Sequence, residues 1–148
     1  MSVKVTGLRD FKVQMQKLGD AFNDAVDDGV FVTANDVRTY AIKSIQETSS
    51  GQQVRRSKQG GGTYTHTAAA KGQAPNTDTG NLVASIAVEK AGNAKYHIGS
   101  GLDYAEFLEF GTSKMGARPW LQPAMQANRK NLINNIQKTV DIYIGRLV

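Results

Sequence analysis

The chain contains no cysteine, which excludes disulfides and thiolate metal sites. No apolar run approaches the ~20 residues needed to span a membrane. The N-terminus, MSVKVTGLRD, lacks the apolar stretch of a signal peptide, so a cytoplasmic protein is expected. There are three prolines, one tryptophan and two histidines. Aromatics make up 7% of the chain and hydrophobic residues 40%. That composition predicts a modest core, with part of the stability coming from subunit contacts. The 148 residues suit a single domain over 1–148. Folding at this size buries roughly 70% of the unfolded chain's surface, so a core forms without staples.

Charge is present but uneven. The net charge is +5. Residues 1–47 hold six Lys/Arg and seven Asp/Glu, and the rest hold twelve and six. Two stretches carry the excess. Arg55, Arg56, Lys58 and Lys71 lie in a segment without an acid, as do Lys114, Arg118, Arg129, Lys130 and Lys138. A lopsided field suits an anionic partner, either nucleic acid or an acidic protein face. An ordinary solvated surface is the alternative.

Leu8, Phe11, Met15, Leu18, Phe22 and Val26 recur at three- and four-residue steps, the spacing of one helix face. Val30, Val37, Ala41 and Ile45 continue the stripe past Gly29. One long helix over about 8–47 and two helices kinked near Gly29 both fit. Residues 49–77 hold five of the fifteen glycines and almost no large aliphatics. Such a segment buries too little apolar area to offset its ordering entropy. It reads as a long flexible arm, with Gly60-Gly61-Gly62 as a hinge. That triplet is not a phosphate loop, because it lacks the Lys-Ser/Thr and the strand–helix context.

In DTGNLVASIAVEK, Thr79 is placed to cap a short helical turn. Ile86 and Val88 then alternate as in a strand. Ala91-Gly92-Asn93 reads as a turn, and Lys95–Gly99 as the returning strand. A lone hairpin is marginal. Further strand is expected from the arm, from Val3–Thr6 or from a neighbouring subunit. Asp103–Phe110 reads as a short helix ended by Gly111, the residue that takes a left-handed conformation cheaply. Pro123 suits the first turn of a last helix, whose stripe is Met125, Leu132, Ile136, Val140, Tyr143 and Leu147. The fold class is therefore α+β, with a long N-terminal helix, a small antiparallel sheet carrying the arm, and a C-terminal helix.

Glu106 and Glu109 sit three apart on the short helix, with Asp103 three earlier. They could form an acid/base pair or a hard-metal site. No further ligand follows at the right spacing, and an acidic face meeting a neighbour's basic residues is the simpler reading. His66 and His97 lack a nucleophile-and-carboxylate pattern. No catalytic, metal or cofactor site is assigned. Arg55, Arg56 and Lys58, with Tyr64 nearby, could contact phosphates without reading sequence, or the arm could order against a protein neighbour. In Ala117–Pro123, Pro119 pushes Arg118 toward an extended conformation and stiffens the turn that presents Trp120. Trp and Arg are enriched at interface hot spots. Alternatively, Trp120 anchors the last helix to the subunit's own sheet and Arg118 pairs with Glu106 or Glu109.

Asp78-Thr79-Gly80-Asn81-Leu82 followed by Ser85-Ile86 resembles the "DTG-x-L-x-x-SI" signature of the small tail-component proteins of long-tailed phages, the HK-type neck or tail-completion family. Tyr104-Ala105, Glu109-Phe110-Gly111-Thr112 and Ala117–Ala124 resemble its second signature, "YA…EFGT…ARPFLxPA". The order of elements is similar too, and the resemblance covers most of the chain. There are two departures. Nearly thirty residues stand where the family often has a short "AP" link, although Ala74-Pro75 still precedes DTG, and Trp120 stands where Phe is commoner.

The resemblance implies a non-enzymatic virion protein, made in the host cytoplasm and placed at the head–tail junction as a neck, tail-completion or terminator protein. It implies a homo-oligomeric ring, preferably a hexamer, between the head connector and the tail tube, with DNA passing non-specifically through the lumen. Arg55, Arg56, Tyr64, Glu106, Glu109, Lys114, Arg118 and Trp120 are the expected interface residues. Asp78, Thr79, Gly80, Gly111, Pro119 and Pro123 are the expected structural motif. Arg55, Arg56, Lys58 and Lys71 are the residues expected to face DNA, and a nucleic-acid-binding module using the arm is the alternative function.

Overall fold

The computed structural model describes residues 8–47 and 50–146. The Val3–Thr6 strand candidate and Leu147 lie outside the described residues, as does the side chain of Leu8. The elements run α1 (Leu8–Gln46), β1 (Gln53–Ser57), β2 (Thr63–Thr67), α2 (Asn81–Ser85), β3 (Ile86–Gly92), β4 (Lys95–Ser100), α3 (Asp103–Phe110), α4 (Gln122–Asn128) and α5 (Asn131–Gly145). The class is α+β, with two separate two-stranded antiparallel sheets, β1–β2 and β3–β4.

The first helix is one continuous rod of 39 residues. Gly29 does not break it, although glycine mid-helix costs about 1 kcal/mol against alanine. The reason lies across the helix interface. A Cβ on Gly29 would lie 2.6 Å from the Cα of Ile136 in α5, so the missing side chain is what lets the two backbones approach. In the stretch after it Val32 stays exposed, and Thr33 is the buried residue. The Thr33 hydroxyl donates to the Gly29 carbonyl at 2.9 Å and accepts from Asn135 Nδ2 at 3.1 Å.

Helix α5 runs antiparallel along α1. Asn135 Nδ2 also donates to Asp36 at 2.9 Å, Thr139 Oγ1 donates to the Ala25 carbonyl at 2.7 Å, and Tyr143 OH donates to Asp28 at 2.6 Å. That last bond raises the Tyr143 pKa above its usual value. Gly29→Ala is expected to destabilise the protein by about 1–3 kcal/mol through overpacking, despite alanine's better propensity. A thermal melt showing unchanged or higher stability would contradict the close-approach role.

The single C-terminal helix expected from periodicity is two helices. The break falls at Arg129-Lys130, where Arg129 N turns to Gln126 O at 3.4 Å, a tighter i→i−3 bond. Buried Asn128 donates its side-chain amide to Ala124 O and accepts from Asn131. Asparagine's habit of bonding nearby backbone makes it a poor helix-interior residue, which explains the stop.

The hairpin expected over 86–99 is present, with Ile86 opposite Ser100 and an irregularity between Lys90 and Gly92. Among the described residues it gains no third strand. Helix α1 supports it instead. Asp27 accepts from Lys90 Nζ (2.5 Å), Ala94 N (2.8 Å) and Tyr96 OH (3.0 Å). The Lys90 bond is the main reason the Asp27 carboxyl sits below the usual carboxylate range. Arg38 Nε donates to the Ile86 carbonyl at 2.7 Å. The rings of Phe31 and Tyr96 lie 5.4 Å apart, within the range of favourable aromatic pairs.

The core gathers Val37, Ala41, Ile45, Leu82, Ile86, Ala105, Trp120 and Ala124. It is small and alanine-rich, and it sits against the C-terminal half of α1. The stripe read along α1 divides accordingly. Val37, Ala41 and Ile45 are buried, whereas Phe11, Met15, Leu18 and Phe22 are exposed.

Candidate functional site

Two constructions carry most of the residues singled out in the sequence. The first joins α3 to α4. Helix α3 ends at Gly111 with φ of 77°. A Cβ there would fall 2.7 Å from Ala117 N and 2.8 Å from Met115 O, so glycine is required both by its backbone angle and by the space available. Thr112 closes the basic turn: its N–H donates to Met115 O, and its hydroxyl accepts from Lys114 N and Met115 N. The returning chain then pairs with α3 through Arg118 N to Leu108 O at 2.7 Å.

Glu109 completes the junction. Its Oε2 accepts from Trp120 N (2.8 Å) and Leu121 N (2.9 Å), and its Oε1 accepts from Gln122 N (2.8 Å). The start of a helix leaves backbone donors unpaired, and α4 has no cap from its own first residues. Pro119 and Pro123 have no N–H to satisfy. The three donors between them all go to one buried carboxylate, which also carries the negative charge that a helix N-terminus favours. The alternative pairing of Arg118 with Glu106 or Glu109 is not made among the described residues; Glu109 turns to the backbone donors of residues 120–122 instead. Arg118 Nη1 lies 3.9 Å from Met115 Sδ, and its buried Nε has no partner among the described residues.

Trp120 is 3% exposed. It packs in the subunit's own core, with Nε1 donating to Ala105 O at 3.4 Å. Of the two placements open for it in the sequence, own core or neighbour, the structure takes the first. Glu106 and Lys114 are exposed.

The second construction is the arm, which is not a flexible loop but a hairpin. β1 and β2 pair with Val54 opposite His66 and Arg56 opposite Tyr64. Side chains alternate across a strand, so these four share a face, and that face meets Asp78 of the DTG turn. Asp78 accepts from Tyr64 OH, forms an ion pair with Arg56 Nε at 3.6 Å, and lies 3.8 Å from His66 Nδ1. The bond to Asp78 pushes the Tyr64 hydroxyl pKa up.

Both ends of the arm are pinned. Ala68 N donates to Gln52 O (2.8 Å), Gly72 N donates to Ala117 O (2.9 Å), and Thr77 N and Oγ1 both reach the Ile45 carbonyl at 3.1 Å. The glycine triplet forms the hairpin tip, with φ of 101°, 100° and 85°. Thr79 contributes only a long contact, accepting from Asn81 N at 3.5 Å, and the residue at the start of α2 is Gly80 with φ of 79°.

The four cations proposed to face DNA do not form one patch. Arg56 turns to Asp78, and Lys71 lays its stem on Gly116. Arg55 is on the opposite face, bonded to Thr63 at 3.0 Å, and Lys58 is exposed at the tip. A cavity of about 380 Å³ lies between the arm and the core, with Arg56, His66, Asp78, Tyr104 and Arg118 in its wall. Among the described residues no group of three or more His, Cys, Asp or Glu is arranged to hold a metal ion. No described helix is long and apolar enough to cross a membrane. Taken together, the polar residues fasten segments to one another.

No curated protein and no solved structure matches this chain. Residues 9–111 match the family described as "Bacteriophage HK97-gp10, putative tail-component". The matched span runs from α1 through the DTG turn and β3–β4 to Gly111, and so takes in Glu109 but not the segment it caps. With well over half its length inside that match, the chain belongs to the HK97 gp10-like family of bacteriophage tail components.

Proposed function

We propose that the protein is a structural component of the head–tail junction, a neck, tail-completion or terminator subunit that forms a homo-oligomeric ring, preferably six-fold, between the head connector and the tail tube. The family match over residues 9–111 carries this reading. Two features of the chain support it. The core is small, while Phe107, Phe110 and Phe11 stand outside it, as in a subunit that completes its burial by association. Exposed acids such as Glu106 and exposed bases such as Lys114 and Arg55 would set register between neighbours more than affinity. Arg55 and Lys58 are exposed on the outer face and tip of the hairpin, which supports them as the residues that would meet passing DNA. Labelling this chain in assembled particles and imaging them tests the placement. Label at the junction is expected, and label along the tail or only in free protein would overturn it.

The exposed Arg55 also keeps a second reading in view, a nucleic-acid-binding module. That reading requires DNA binding that weakens steeply with salt and is lost when Arg55 and Arg56 are removed.

A further inference from the structure

Among the described residues, nothing packs on the N-terminal third of α1. The face that α1 turns to α5 carries Ala25, Gly29 and Thr33. At helical spacing the same face continues toward the N-terminus as Phe22, Leu18, Met15 and Phe11. The contacts of α5 with α1 run to Ala25 and Asp28. Beyond them, residues 9–20 are exposed without exception. Phe11, Met15, Leu18 and Phe22 are 58%, 51%, 42% and 51% exposed. With about 150–250 Å² on each aromatic side chain, the row presents on the order of 400 Å² of apolar surface, a patch size that marks interaction sites. It lies on a rod about 20 Å long.

The chain also carries a complementary surface. A groove of about 420 Å³ runs between α1, β4 and the α4–α5 corner, floored by Val30, Val37, Ile98, Met125 and Leu132. Overhang and groove cannot meet within one subunit. Both belong to the same continuous helix, and the overhang points along the axis away from the groove. A second copy removes that restriction.

We infer that the overhanging part of α1, from Phe11 to Phe22, docks as an amphipathic helix into the Val30–Val37–Ile98–Met125–Leu132 groove of another copy of this chain. The steps of four, three and four residues between its apolar side chains are the anchor spacing of helix-in-groove recognition. The overhang brings on the order of 400 Å² of apolar surface to each contact, short of the ~1,200 Å² at which stable interfaces begin, so each copy's two contacts, one through its overhang and one through its groove, have to act together. Because ridge and groove are different surfaces, the contact closes either as a reciprocal exchange between two copies or, passed on from copy to copy, as a ring. It thus names the subunit contact of the proposed ring, and it rests on that reading for closure alone.

Two full-length variants test it, Leu18→Glu/Phe22→Glu on the overhang and Met125→Glu in the groove. All three positions are exposed in the subunit, so both variants should keep the wild-type circular dichroism spectrum and melt. In light scattering the wild type is expected as a large oligomer and each variant alone as a 16.0 kDa monomer. A mixture of the two should form a heterodimer at most, because only one pairing of an intact overhang with an intact groove remains. A wild-type-sized ring from the overhang variant overturns the inference and leaves the ring reading standing. Oligomers from the groove variant but not from the overhang variant would mean that overhangs pair with each other, and also overturn it. An open or two-subunit wild-type assembly that both variants abolish keeps the docking and removes the ring. A wild type that stays monomeric at every concentration removes both.

Discussion

Glu109→Ala should be the most damaging single substitution outside the apolar core. The carboxylate is 8% exposed and serves three backbone donors that have no other partner. Hydrogen bonds to a charged group contribute about 1.5–3 kcal/mol each, and orphaned buried donors add their desolvation cost. The three bonds are not independent, so a loss of about 4 kcal/mol is expected rather than their sum. In a domain of this size that lowers the melting temperature by roughly 10 °C or more. Glu109→Gln keeps one carbonyl oxygen but brings an amide that faces donors, so it should recover less than half of the loss. An exposed acid would change stability by no more than about 0.5 kcal/mol, and a shift that small would show that Glu109 does not hold the junction.

Trp120→Ala should cost about 3–5 kcal/mol, the range for removing a large aromatic from a packed core. The side chain touches both helices of the junction and the sheet-side cluster, and alanine would leave a cavity that its alanine-rich neighbours cannot fill. Trp120→Phe keeps the anchor and gives up the bond to Ala105, so it should cost about 1–2 kcal/mol. As the only tryptophan, residue 120 also reports directly: its emission should be blue-shifted in the native protein and shift red as the melt proceeds. The interface reading makes the opposite forecast, with Trp120→Ala stable as a subunit but unable to assemble. Because Glu109 and Trp120 act on one short segment, the double variant should lose clearly less than the two single losses together.

What the sequence made legible follows from the range of each interaction. Gly111, Pro123, the hairpin over 86–99 and the apolar faces of the two long helices rest on steps of a few residues, and periodicity and turn chemistry show them directly. In the sequence Glu109 reads as part of an acidic face because its partners lie eleven to thirteen residues downstream, and no periodic pattern records such a bond. A trace existed nonetheless: two prolines bracketing three donors at a helix start call for an acceptor, and Glu109 is the nearest acid upstream.

The arm reads as flexible in the sequence because it lacks aliphatics. Alternation in Thr63–Thr67 was the strand signal, and the clamp on it is Asp78, a residue of a motif read only as a turn. The α1 stripe shows the remaining limit. A hydrophobic pattern identifies which face seeks cover, but what covers it is a matter of tertiary and quaternary structure.

The pinning of the arm has a consequence for how such a chain varies. Gln52 and Ala68 are joined by a backbone bond of 2.8 Å, so everything between them leaves and re-enters the body at one place. The hairpin is an excursion with a closed base, and lengthening its tip between Ser57 and Thr63 moves neither α1 nor the clamp of Arg56 and Tyr64 on Asp78 of the DTG turn. Since the entropy of closing a loop grows only as the logarithm of its length, a change of ten residues there costs well under about 1 kcal/mol. The tip of the arm is thus a seam, where the body and its clamp can stay constant while the part presented to the surroundings is replaced.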